Sequence, residues 1–153
     1  MSVERLRQEL EGRFQSIWKS PPSELENLKD PRGPHCQSFT ILLNAYMQVF
    51  VLAETLWTFR QQAKAGRKVQ SLVDPLIAML ENVVPFLALF GLTDTSDLLH
   101  QTAEVLPMVQ KTEDFVFITE KLAMYLNRLG ANGWMDLMIP FRKISYMYES
   151  FFK

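Results

Sequence analysis

Apolar residues recur along this chain at steps of three and four, as in helices with one buried face, and no stretch alternates with period two between turn signals. In the first segment Val3, Leu6, Leu10, Phe14 and Ile17 share a side while Glu4, Arg5, Glu9 and Glu11 fall elsewhere, which predicts a helix from about Val3 to Lys19. Pro21 and Pro22 end it. Residues 20–36 hold four of the eight prolines and read as a Pro-rich connector, with a single turn at Ser23, where Glu26 completes a capping-box spacing.

The next helix is predicted from Ser38 to about Ala65. Its run FTILLNAYMQVFVLAETLWTF is long enough to raise the question of a membrane span. On a helical wheel Thr40, Asn44, Gln48, Thr55, Thr58 and Gln62 fall within about 40° of one line, interrupted only by Val51 and flanked by Glu54. A helix packed on three sides and wet on the fourth accounts for that stripe, whereas a span would carry Asn, Gln and Glu where lipid penalises them. The expectation is therefore no membrane span.

Gly66, Arg67 and Lys68 close that helix, since glycine tolerates a left-handed cap and cations favour the carbonyl end of the dipole. Asp74 then reads as an N-cap with Pro75 in the first turn, opening an almost wholly apolar and hence buried helix to Phe90, kinked or broken at Pro85. Residues 93–97 supply caps for a helix carrying Leu98, Leu99, Val105 and Leu106, bent or ended by Pro107. Thr112 starts a helix with Phe115, Ile118, Leu122, Tyr125, Leu126 and Leu129 on one face and Gly130 as its stop. After a turn at 130–133, a last helix carries Leu137, Phe141, Ile144, Tyr148 and Phe151, with Pro140 in its first turn or kinking it. The predicted fold is all-α, an irregular antiparallel bundle of five to seven helices, some kinked at proline, forming a single helical domain over 1–153.

Charge and chemistry narrow the function. With 16 Lys and Arg against 17 Asp and Glu, no net field draws the chain to phosphate backbones, so nucleic acid is not expected as a partner. The basic group Arg60, Lys64, Arg67 and Lys68 is accounted for by a helix C-terminus. A single cysteine, Cys36, allows no internal disulfide, and the first residues lack the apolar run of a secretory signal, which points to the cytoplasm. His35 and Cys36 are adjacent in the connector without an orienting partner, so an ordinary loop cysteine is expected. Asp97 and His100 have the spacing of one carboxylate-histidine half-site, with Glu104 following, but Glu54, Glu81 and Glu120 come without a second suitably placed histidine. No nucleophile elbow or phosphate-cradling glycine loop occurs, so the expectation is no enzyme, no metal and no cofactor.

The C-terminal run holds more apolar side chains than one buried face requires. Beyond its core stripe, Trp134, Met135, Met138, Tyr146, Met147 and Phe152 remain to be covered, and Trp, Tyr and Met are types enriched at protein interfaces. These six are the candidate partner-binding residues of a non-catalytic interaction module, an adaptor, chaperone or regulatory subunit that binds a protein partner or a second copy of itself. The alternative is a carrier or sensor of an apolar small molecule. Its pocket would lie between kinked helices and be lined by Asn44, Met47, Gln48, Phe50, Met79, Phe86 and Met124, with Asn44 or Gln48 as polar anchor.

Overall fold

The computed structural model describes residues 1–28 and 39–152, and the side chains of these except 26–28, 39–43, 45 and 133–152. Five α-helices follow one another: α1 (Val3–Lys19), α2 (Phe39–Lys64), α3 (Val69–Leu89), α4 (Thr93–Val105) and α5 (Thr112–Phe152). Short 3-10 turns occupy Ser23–Leu28 and Leu106–Met108, and no strand occurs among the described residues. The fold is an all-α bundle.

Local chemistry sets the ends of α1. The Ser2 hydroxyl accepts from the Arg5 amide at 3.1 Å, and the Ser20 amide returns to the Ser16 carbonyl at 3.1 Å. Gly66, at φ 100°, takes the left-handed conformation after α2, and Gly91, at φ 80°, does so after α3. Pro107 falls inside the 3-10 turn that follows α4, where its missing amide ends the α-helical ladder.

α5 packs against α2 and α1. α2 runs antiparallel to it, because Phe50 meets Gly130 while Arg60 meets Glu120. α1 lies parallel to its first half, with Arg7 at Asp114, Glu11 at Lys121 and Trp18 at Arg128. α3 packs on α2 and α4. Leu6, Leu10, Leu52, Leu56, Leu76, Leu80, Leu99, Phe115, Ile118, Leu122 and Leu126 fill the centre, each essentially inaccessible. Burying such a side chain contributes roughly 1.5–3 kcal/mol relative to leaving it exposed.

Four local expectations need correction. α3 begins at Val69, more than a turn before Asp74, so Asp74 is not its N-cap and Pro75 lies inside the helix. Of the kink or break expected at Pro85, the break does not occur, and α3 continues to Leu89. Both prolines are exposed, as are Ser71 and Glu81, whose carbonyls lose their usual amide partners and can turn to water instead. Burial of α3 is one-sided: Leu72, Val73, Leu76, Leu80 and Leu87 are inside, while Ala78, Ala88 and Leu89 face out. Among the described residues α3 is long and apolar enough to cross a membrane by length and composition, with 28% of that window buried.

Gly130 does not stop α5, which runs unbroken through the expected 130–133 turn to Phe152. A Cβ at Gly130 would stand 2.9 Å from Cε1 and Cζ of Phe50. The glycine therefore serves close approach between α2 and α5, a packing role that resembles a cap signal when read from sequence alone. Leu137, Phe141, Ile144, Tyr148 and Phe151 lie on α5 outside the described side chains.

Candidate binding surface

The polar stripe of α2 faces outward: Asn44, Gln48, Glu54 and Thr58 are exposed, and Thr55 and Gln62 are half-buried. The hydroxyls of Thr55 and Thr58 donate to the carbonyls of Val51 and Glu54 one turn back, at 2.8 and 3.1 Å. These bonds occupy the threonine hydroxyls within the helix. Apolar side chains interrupt the stripe, with Met47 51% and Val51 55% exposed.

Where α2 passes α3, Asn44, Met47, Gln48, Val51 and Phe86 line a cleft of about 440 Å³ that opens to solvent. Phe86 stands half-buried against Phe90, edge to face with ring centroids 5.0 Å apart. Leu89, 67% exposed, lies one turn farther along α3. The cleft walls are thus thioether, aliphatic and aromatic, with two neutral amides at the rim and no ionisable side chain among the lining residues. Such a surface can bury apolar groups and offer amide hydrogen bonds, but it has no group to hold or move a proton.

Four of the seven residues considered for a pocket, Asn44, Met47, Gln48 and Phe86, therefore stand together. The other three point elsewhere. Phe50 packs on Gly130, Met79 is half-buried against the core, and Met124 is half-buried on α5. The partner-binding candidates Trp134, Met135, Met138, Tyr146, Met147 and Phe152 lie on α5 outside the described side chains, and His35 and Cys36 lie outside the described residues. Val51, which breaks the polar stripe in the sequence, proves to be a wall of the cleft. Its position among exposed polar residues was the one available signal.

Titratable groups gather elsewhere and serve the fold. Glu24, 5% exposed, reaches from the 3-10 turn after α1 to the start of α4. There the Asp94 and Thr95 amides donate to its Oε2 at 2.7 and 3.2 Å, and the Thr95 hydroxyl donates to Oε1. The N-cap of α4, Leu92, offers no side-chain acceptor, so Glu24 caps the helix from 70 residues away. Burial pushes the Glu24 carboxyl above its ordinary range, while hydrogen bonds from Thr95 and Asp94 pull the other way. Burial likewise raises the Tyr125 hydroxyl, with Thr95 and Arg13 as its opposing partners.

His100 sits between Glu81, 3.3 Å from Nδ1, and Glu104, 3.0 Å from Nε2. The two carboxylates approach opposite ring nitrogens and cannot converge on one ion. Asp97, on the same helix, adds no third ligand, and no group of three metal-ligating residues occurs among the described side chains. Two cations of the basic group at the end of α2 are also engaged: Arg60 bonds Glu120 at 3.2 Å and stacks on Trp57 at 4.3 Å, and Arg67 bonds Gln62 at 3.1 Å.

Fold and surface together define a helical bundle with an apolar outer cleft and no convergent set of reactive side chains among the described residues. Residues 3–137 match the cucumopine synthase C-terminal helical bundle domain, and the chain belongs to that family. No curated protein and no solved structure matches the chain.

Proposed function

We propose that this protein is a non-catalytic interaction module that associates with a second copy of itself through the outer face of α2 and α3. The observation that carries this reading is the exposure of Met47 and Val51 in a cleft whose lining contains no ionisable group, with Leu89 exposed one turn beyond Phe86 on α3. Exposed apolar groups concentrated in one place, as opposed to scattered singly, mark surfaces that are covered in use. The paired helices supply most of the area: α3 alone is about 30 Å long at 1.5 Å per residue, and two helices side by side span about 20 Å. That rectangle approaches the roughly 800 Å² per partner of a stable interface. The family name adds support, since a bundle at the C-terminal end of a synthase suits an assembly role beside the part that does chemistry. The cytoplasm is the compartment this reading assumes.

A second reading has one observation in its favour. The cleft volume of about 440 Å³ falls among those of small-molecule pockets, roughly 300–1,000 Å³, and Asn44 and Gln48 could orient an apolar ligand. Its openness favours the first reading, because ligand pockets bury most of the ligand surface whereas an open cleft accepts side chains from a facing protein.

Sedimentation velocity on the wild type and on Met47→Glu and Val51→Glu separates these readings. Both sites are exposed, so the variants should keep wild-type helix content while a concentration-dependent dimer of the wild type is lost. Association unchanged by both variants would remove α2 and α3 as the interface.

A further inference from the structure

Cations along the seam between α1 and α5 are matched one by one with carboxylates. Arg7 bonds Asp114 at 2.6 Å and lies over Phe117, Arg13 bonds Glu9 at 3.0 Å, and Lys121 meets Glu11 at 3.4 Å above the Phe14 ring. The series stops at Arg128. Its guanidinium lies 4.6 Å from the Trp18 ring, near the C-terminal end of α1, and its Nε is buried with no acceptor among the described residues. One turn farther along α5, the side-chain amide nitrogen of Asn132 is also buried and also without an acceptor among the described residues. Two unsatisfied donors at i and i+4 share one helix face, in a bundle that otherwise supplies carboxylates to the cations of that seam.

We propose that Arg128 and Asn132 form a carboxylate-binding subsite, with Trp18 as its aromatic wall. An arginine presents its Nε and Nη hydrogens in a fork that matches the two oxygens of a carboxylate, and a neighbouring amide donor can close on one of them. Asn132 selects an acceptor, Arg128 selects negative charge, and the indole face holds the guanidinium in plane. The donors are covered, so the acceptor must displace part of that cover. Trp18 is 55% exposed at the end of α1, so this wall of the subsite borders solvent. Both donors and the wall lie on α1 and α5, apart from the α2 and α3 cleft, and the subsite stands whether or not that cleft is an interface.

The test is a ¹H–¹⁵N spectrum of the arginine Nε–Hε groups in the full chain, with the Arg128 signal assigned by its loss in Arg128→Lys. Sodium acetate is the probe, against sodium chloride at equal ionic strength. The expected result is a saturable downfield movement of the Arg128 signal with acetate, several-fold larger than with chloride, and weakened several-fold in Asn132→Ala. Alternatively, the signal moves downfield with protein concentration before any acetate is added, which would identify the carboxylate as that of a second copy. No movement beyond the chloride control, at any protein concentration, would overturn the proposal. So would a full acetate response in Asn132→Ala.

Discussion

Replacing Gly130 by alanine sets two effects of known size against each other. In a helix interior alanine is favoured over glycine by about 1 kcal/mol, because the unfolded chain loses less freedom. At this position the added methyl would stand 2.9 Å from two ring atoms of Phe50, closer than carbon atoms pack, so the ring or the α2 backbone must yield. Overpacking of this kind typically costs about 1–3 kcal/mol. The net expectation is a destabilisation of about 0–2 kcal/mol, and the sign should reverse when the ring is removed. In a Phe50→Ala background, Gly130→Ala should stabilise by about 1 kcal/mol. Urea unfolding of the four proteins in a double-mutant cycle measures the coupling, expected at about 1–3 kcal/mol. Two outcomes would refute the reasoning. If Gly130→Ala stabilises both backgrounds equally, Phe50 does not abut α5. If it destabilises both equally, Gly130 holds a left-handed cap and α5 is broken where it is described as continuous.

Further perturbations test other parts of the account. Glu24→Ala should cost about 1–3 kcal/mol in chemical denaturation, because it strands the Asp94 and Thr95 amides at the start of α4. Since burial raises the Glu24 carboxyl in the folded chain, the folded state holds that proton more tightly than the unfolded state. Its contribution is therefore full below the ordinary value of 4.5 and lost as pH rises through the folded value. Thermal unfolding across this range should show a decline with rising pH that Glu24→Gln flattens; an identical profile in the variant would contradict the burial argument. Leu80→Ala, at a fully buried site on α3, should cost about 2–5 kcal/mol in urea unfolding. His100→Ala should change stability by less than about 0.5 kcal/mol, because its contacts to Glu81 and Glu104 are solvent-exposed.

Periodicity carried the reading of the fold where the helix was its own evidence. α1 and α2 show this, since their apolar and polar positions repeat over many turns. It failed where tertiary packing overrode a local signal. Pro85 and Gly130 are helix breakers in isolation, but an exposed proline leaves its orphan carbonyl to water, and the glycine is required by a ring on another helix. Beside Pro85, the Ser96 hydroxyl donates to the Val84 carbonyl at 2.8 Å and ties α4 to that part of α3, a contact with no sequence signature. Glu24 was hidden for the same reason. A cap that reaches across 70 residues has no spacing to recognise. The candidate surface was legible on α2, where Asn44, Met47 and Gln48 lie within a single turn or so, whereas the contribution of Phe86 depends on how α2 and α3 align.

The central claim is that the apolar face of α2 and α3 is covered by a second copy of this chain. Native mass spectrometry tests it most directly, because one spectrum reports both subunit number and any small molecule retained by the protein. The account predicts a dimer free of added mass, reduced to monomer by Val51→Glu. A monomer carrying a discrete added mass that Val51→Glu removes would contradict it and establish the cleft as a ligand site.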